Sequence, residues 1–222
     1  LADKTGGIVA AGPPSRPAID APELAKLGKF GVGYRTISVV DDKAVDLKSG
    51  SGVVPYYSRR LTVEVWYPAT VATDAVAVTY AGSFTAEPPA PPTKFARPGI
   101  AVRDATPETG SFPLVIVSHG YDNDAIALSW LTENLASKGY VVAAIRHADP
   151  PITDRTGFPE VLLRRPSDIL VVARKLPAAL GDSPAIDPSR MALVGYSMGG
   201  YGVLTAAGGE LDPASPVVQM VT

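Results

Sequence analysis

The 222-residue sequence predicts an α/β protein, a mainly parallel, doubly wound sheet preceded by antiparallel strands. Three observations carry this. From Phe112 onward, short apolar runs alternate with stretches of helical spacing. Before them stand two β-branched, partly alternating stretches with a Gly- and Ser-rich turn between them, the grammar of an antiparallel pair. The length suits one large domain with a real core, and neither a repeat nor a sharp shift in composition marks a second.

Taken in order, Leu1–Pro22 is rich in Gly, Ala and Pro without apolar period and reads as an extended surface arm, with residues 23–222 assigned to a single domain. Gly31–Asp41 ("GVGYRTISVVD") and Arg59–Ala69 ("RRLTVEVWYPA") are the two entry strands. From Tyr80 to Gly110 prolines crowd the chain, and a long surface excursion is expected because proline supplies no ladder donor. Phe112–Gly120 ("FPLVIVSHG") is a continuous apolar run, as for a parallel strand buried on both faces. Ala125–Lys138 has helical spacing and is closed by Gly139; Tyr140–His147 is the next strand. A helix is expected over Arg164–Leu176, with Pro166 near its first position and Pro177 just past its end. "MALVGYS", from Met191, is a third buried strand, and Met198–Ala207 the helix after it.

A formal charge of −2 with interspersed signs offers no basic stripe for nucleic acid and no polybasic patch for a membrane surface, so neutral small molecules or esters fit better. Runs such as Leu114–Val117 and Val141–Ile145 are far shorter than the roughly 20 residues of a bilayer span, so no transmembrane segment is expected. The chain has no cysteine, which excludes disulfides, thiolate chemistry and zinc-cysteine sites. Its two separated histidines form no ligand cluster, so neither a metal nor another cofactor is expected. The first residue is leucine, and a removed secretory signal is one explanation; a secreted or periplasmic protein is expected.

The chemistry is expected in Val194–Gly202, "VGYSMGGYG". Gly195-Tyr196-Ser197-Met198-Gly199 matches G-x-S-x-G and lies between a hydrophobic strand and a small-residue helix, where a strained turn holds a serine hydroxyl out as nucleophile. Gly195 and Gly199 are small because strand and helix pass close together there. The competing assignment is a plain turn with Ser197 as a capping residue. The second element is Ser118–Asp124 ("SHGYDND"), at the end of the strand expected beside the elbow strand. Acyl transfer builds negative charge on a carbonyl oxygen, best held by fixed backbone N–H groups. Met198, after the serine, supplies one; Tyr121, after His119-Gly120, is the choice for the other. His119, Gly120 and Tyr196 support the pocket, with Tyr121, Tyr196 and Phe158 as apolar lining and the Glu87–Pro98 and Ala148–Glu160 segments as its rim.

"RRLTVEVWYPA", "FPLVIVSHGYD" and "AIDPSRMALVGYSMGG", in that order, resemble the α/β-hydrolase superfamily, particularly its bacterial dienelactone-hydrolase-like and platelet-activating-factor-acetylhydrolase-like serine esterases. The match covers most of Gly31–Ala207. "GYSMGG" with an oxyanion tyrosine is also similar to polyester hydrolases and cutinase-like enzymes. The resemblance implies an α/β-hydrolase fold and an acyl-enzyme at Ser197 that cleaves small-molecule or polymeric esters. It also implies a chain order of Ser, then Asp or Glu, then His. Both histidines precede Ser197: His119 is expected to brace the oxyanion loop and a structural role is expected of His147, which is the base in the alternative of a self-sufficient fold. Glu210 and Asp212, beyond a helix leaving the site, are placed too far from the serine. The catalytic acid and histidine are therefore expected outside residues 1–222, in a C-terminal segment of the same gene product that also adds the later strands. A non-catalytic binding domain and a serine peptidase on the same fold are the alternatives.

Overall fold

The β-branched and aromatic residues of the N-terminal half form the strands their composition dictates. In the computed structural model, which describes residues 22–46, 55–84, 89–151, 154–181, 184–210, 212 and 214, β1 (Gly31–Val45) and β2 (Tyr56–Thr70) are antiparallel over nearly their whole length. The arm expected over Leu1–Pro22 lies outside the described residues as far as 21, and Pro22 already opens a short helix, α1 (Pro22–Ala25).

The excursion expected over Tyr80–Gly110 is instead a hairpin, β3 (Ala77–Phe84) and β4 (Thr93–Arg103), followed by the two-residue β5 (Thr106–Pro107). The prolines are accommodated because β4 meets β1 only through Gly33↔Val102 and Tyr34↔Arg103, leaving Pro98 clear of that ladder. Then β6 (Ser111–Ser118), β7 (Val141–Arg146) and β8 (Ala185–Gly195) run parallel, giving the order β3-β4-β1-β2-β7-β6-β8, with β5 paired to β2.

Alternation along the central strands builds two cores. Leu114 and Ile116 of β6, with Val141, Ala143 and Ile145 of β7, face Ile169, Val172 and Leu176 of α3 (Phe158–Leu180). Val115, Val117, Val142 and Ala144 face the other way, against Tyr34, Trp66 and Tyr80 and Ala136 of α2 (Ser129–Ser137). Two-sided cover explains why these strands read as continuous apolar runs. A 3-10 turn, Ala125–Leu128, precedes α2, and Gly139 (φ +98°) follows it.

Two further expectations are corrected. The strand beginning at "MALVGYS" is not buried: among the described residues β8 pairs with β6 alone, and Met191 is 45 % exposed. The third helix does not run from Arg164 to Leu176; α3 spans Phe158–Leu180 with Pro166 and Pro177 inside it. Pro159 occupies its start, and Gly181, at φ +71°, follows its end. Pro166 cannot donate to the carbonyl four residues back. That carbonyl, on Leu162, instead accepts from the Tyr201 hydroxyl at 3.0 Å, an outside donor from α4 (Met198–Ala206) that local sequence does not reveal.

This tether joins α3 to the helix behind Ser197. Tyr201→Phe is expected to cost about 1 kcal/mol. In a Pro166→Ala background, where the helix supplies its own donor, the loss should shrink, and urea unfolding of the double-mutant cycle measures the coupling.

Candidate active site

At the carboxyl end of β8 the chain reverses within two residues. The Tyr196 N–H donates to the Ser118 carbonyl at 3.1 Å, extending the ladder to β6, and the Gly200 N–H closes the first turn of α4 on the Ser197 carbonyl at 2.8 Å. Between them Ser197 sits at φ +53°, ψ −121°. That region is sparsely populated for a residue with a Cβ and costs on the order of 1–3 kcal/mol. The side chain is exposed and makes no capping hydrogen bond. Two glycines permit the turn. A Cβ on Gly195 would stand 2.2 Å from the Gly199 carbonyl oxygen, and one on Gly199 would stand 2.0 Å from that of Ser118.

The Ser118–Asp124 loop lies against this turn. A Cβ on Gly120 would fall 3.2 Å from the Tyr196 ring and 3.5 Å from the Ser197 Cβ. Tyr196 is exposed, and the Tyr121 ring meets Phe158 with centroids 5.9 Å apart. Met198 opens α4. At the far end of the loop, Asp124 accepts from the Ile126 N–H at 3.1 Å and pairs with Arg146 at 2.8 Å. Gly82 of the β3–β4 hairpin packs beside Asp124, so the hairpin borders the loop; residues 85–88 at its tip, like 152 and 153 of the other expected rim, lie outside the described residues.

Both histidines are buried, and the hydrogen bonds they make are to groups other than Ser197. His119 Nδ1 meets the Gly120 carbonyl at 2.7 Å. His147 Nε2 meets Ser118 Oγ and its Nδ1 meets Asp168 Oδ2, each at 2.9 Å. Arg59 closes the chain on the other Asp168 oxygen and on the His147 carbonyl. Burial, aided by the Arg165 cation, holds both imidazoles below their ordinary pKa of 6.5, His147 well below it. Burial pushes Asp168 the other way, up to about 7, against the pull of Arg59. Among the described residues no group of three His, Cys, Asp or Glu is placed to hold a metal ion.

The hub was absent from the expected set. Arg165, fully buried, donates to Ser118 Oγ (3.2 Å), to the His119 carbonyl, to the Gly120 carbonyl (3.0 Å) and through a fork to Asp149. A signal was present: Arg165 and Asp168 share the apolar stripe of α3 with Val161, Ile169, Val172 and Leu176. Charges on a core-facing stripe stay buried only when paired.

An exposed serine on a strained strand-to-helix turn, beside a glycine loop at the carboxyl ends of the parallel strands of a mixed sheet, defines the α/β-hydrolase class. Within it, the chain belongs to the PET hydrolase-like family, whose sequence profile matches residues 96–219, more than half of the chain. It is 34% identical over 114 residues to cutinase est1 of Thermobifida alba (47% of this chain, 33% of that protein), and to the same extent to cutinase 2 of Thermobifida cellulosilytica (38% of that protein). The chain thus spans about a third of the length of the curated relatives it matches. The structure of a ferulic acid esterase from Streptomyces cinnamoneus superposes with a TM-score of 0.60 over 81% of this chain and 56% of the other, at 24% identity, a likeness of fold. No described helix is long and apolar enough to cross a membrane.

The buried titrations make a signed prediction. Unfolding restores each histidine to about 6.5, so the unfolded chain binds more protons there and stability falls as pH drops below that value. Asp168 runs oppositely: its folded carboxyl keeps a proton that the unfolded one, at 3.8, releases, so its contribution is present at low pH and lost as pH rises through about 7. Two histidines act against one aspartate, so stability should rise with pH between about pH 5 and 6.5. Urea unfolding across that range measures it, and Asp168→Asn, which removes the opposing group, should steepen it.

Proposed function

We propose that this chain carries the nucleophile and oxyanion hole of a serine hydrolase that cleaves carboxylic esters. Ser197 Oγ attacks the ester carbonyl carbon as its proton passes to a base. The Tyr121 and Met198 amides hold the oxyanion, the alcohol departs, and water attacks the acyl-enzyme to release the acid. The observation that carries the reading is the exposed Ser197 at φ +53°, held between two glycines that no larger residue can replace without displacing backbone. Because both ring nitrogens of His147 are taken by Ser118 and Asp168 and His119 Nδ1 by the Gly120 carbonyl, the reading assigns the base and its carboxylate partner to residues outside 1–222, in a C-terminal segment of the same gene product.

Small or polymeric esters are the substrate class, in keeping with the cutinases among the relatives. Polymers do not enter cells, which favours a secreted or periplasmic location. The aromatic Tyr121, Phe158 and Tyr196 around Gly120 favour neutral short or medium acyl groups. A fluorophosphonate probe should label the full-length protein at Ser197, and Ser197→Ala should abolish both labelling and turnover; an unlabelled protein sinks the reading. p-Nitrophenyl esters should outpace matching anilides, since faster anilide turnover would indicate a peptidase. Among esters, neutral acyl groups should be cleaved at least tenfold faster than charged ones, measured as kcat/KM.

A further inference from the structure

The carbonyl and N–H of a trans peptide point in opposite directions. In the peptide joining Gly120 to Tyr121, the carbonyl accepts from Arg165 Nη2 at 3.0 Å and meets His119 Nδ1 at 2.7 Å. A carbonyl oxygen only accepts, so His119 carries its proton on Nδ1. The preceding carbonyl, of His119, accepts from Arg165 Nη1. Arg165 has no exposed surface, whereas Ser197 is exposed beside Gly120. Two successive carbonyls are thus turned toward the buried Arg165, so the Tyr121 N–H points away from it.

The guanidinium is itself immobilised. Asp149 takes its Nε at 3.1 Å and its Nη2, and Ser118 Oγ takes Nη1 at 3.2 Å. Ser118 in turn ends the buried chain through His147 and Asp168 to Arg59. A buried cation is costly to desolvate, and here its donors converge on the carbonyls of one loop. A hydrogen bond from a cation to the carbonyl of an amide also polarises that amide, strengthening its N–H as a donor.

We propose that Arg165 and His119 are positioning residues that orient and polarise the Gly120–Tyr121 peptide as an oxyanion donor, with the Ser118–His147–Asp168–Arg59 chain as their brace. This rests on the esterase reading, in which the Tyr121 amide faces the reacting oxygen. The test compares a p-nitrophenyl ester with its thiono analogue, whose C=S is a weak hydrogen-bond acceptor, in the full-length protein. Loss of a working oxyanion donor costs roughly 100- to 1000-fold in kcat. His119→Phe and Arg165→Lys should therefore lower the oxo-to-thiono ratio of kcat at least tenfold with KM little changed. His119→Asn, which places an amide N–H where Nδ1 stands, should recover most of the ratio. Folded variants that slow both substrates equally, or neither, overturn the proposal. Should Arg165→Lys fail to fold, the two His119 variants decide alone. A wild-type protein that hydrolyses neither ester and escapes the fluorophosphonate sinks the esterase reading and this inference with it; an active wild type with an unmoved ratio in the variants sinks this inference only.

Discussion

The close approach of α4 to the ends of β6 and β8 is the constraint on which the site depends. A methyl group on Gly199 would overlap the Ser118 carbonyl, and one on Gly195 would overlap the Gly199 carbonyl. Backbone against backbone has no side chain that can yield, so these glycines set how near the helix can come. That nearness lets the Tyr196 N–H reach Ser118 and brings Gly120 beside Ser197. The strain at Ser197 persists because the ladder holds one side of the turn and the first turn of α4 the other.

Behind that contact lies a second layer, made of charge. Arg165, Asp149, Asp168 and Arg59 are taken out of water together with His147 and Ser118, and each is compensated by another member of the group. A network of this kind is stable only when complete, because one missing partner leaves a desolvated charge. Completeness is also what gives it direction: the neutral imidazole of His147 passes from Asp168 to Ser118, and Arg165 passes from Ser118 to the loop carbonyls. The packing of α3 on α4, where Gly202 lies against Arg165 and Ile169 and Tyr201 reaches Leu162, ties this layer to the turn at Ser197.

The strands β1, β2, β6 and β7 and the helices α2 and α4 were legible because hydrophobic period and glycine placement are local signals. So was the turn at Ser197, whose strand–glycine–serine–glycine–helix order is written within a few residues. What local reading missed was of one kind. Pro166 reads locally as a helix start because it lacks a donor, while the Tyr201 hydroxyl that serves Leu162 lies 39 residues further along. The prolines before Gly110 read locally as a loop, although a sparse contact with β1 tolerates them. Arg165 was passed over although it sits on an apolar stripe, since its partners Ser118, His119, Gly120 and Asp149 come from two other strand ends.

By itself, then, the sequence determined the α/β class, the parallel central strands, the glycine-flanked turn at Ser197 and the loop that faces it, because each follows from residue spacing that a short segment carries intact. Tertiary structure alone decided that His147 is hydrogen-bonded to Ser118 and Asp168, that α3 continues through a proline, and that a buried arginine holds the loop's carbonyls. The physical reason is the same in each case: a buried polar group must find its partner across the fold, and distance along the chain says nothing about which partner that is.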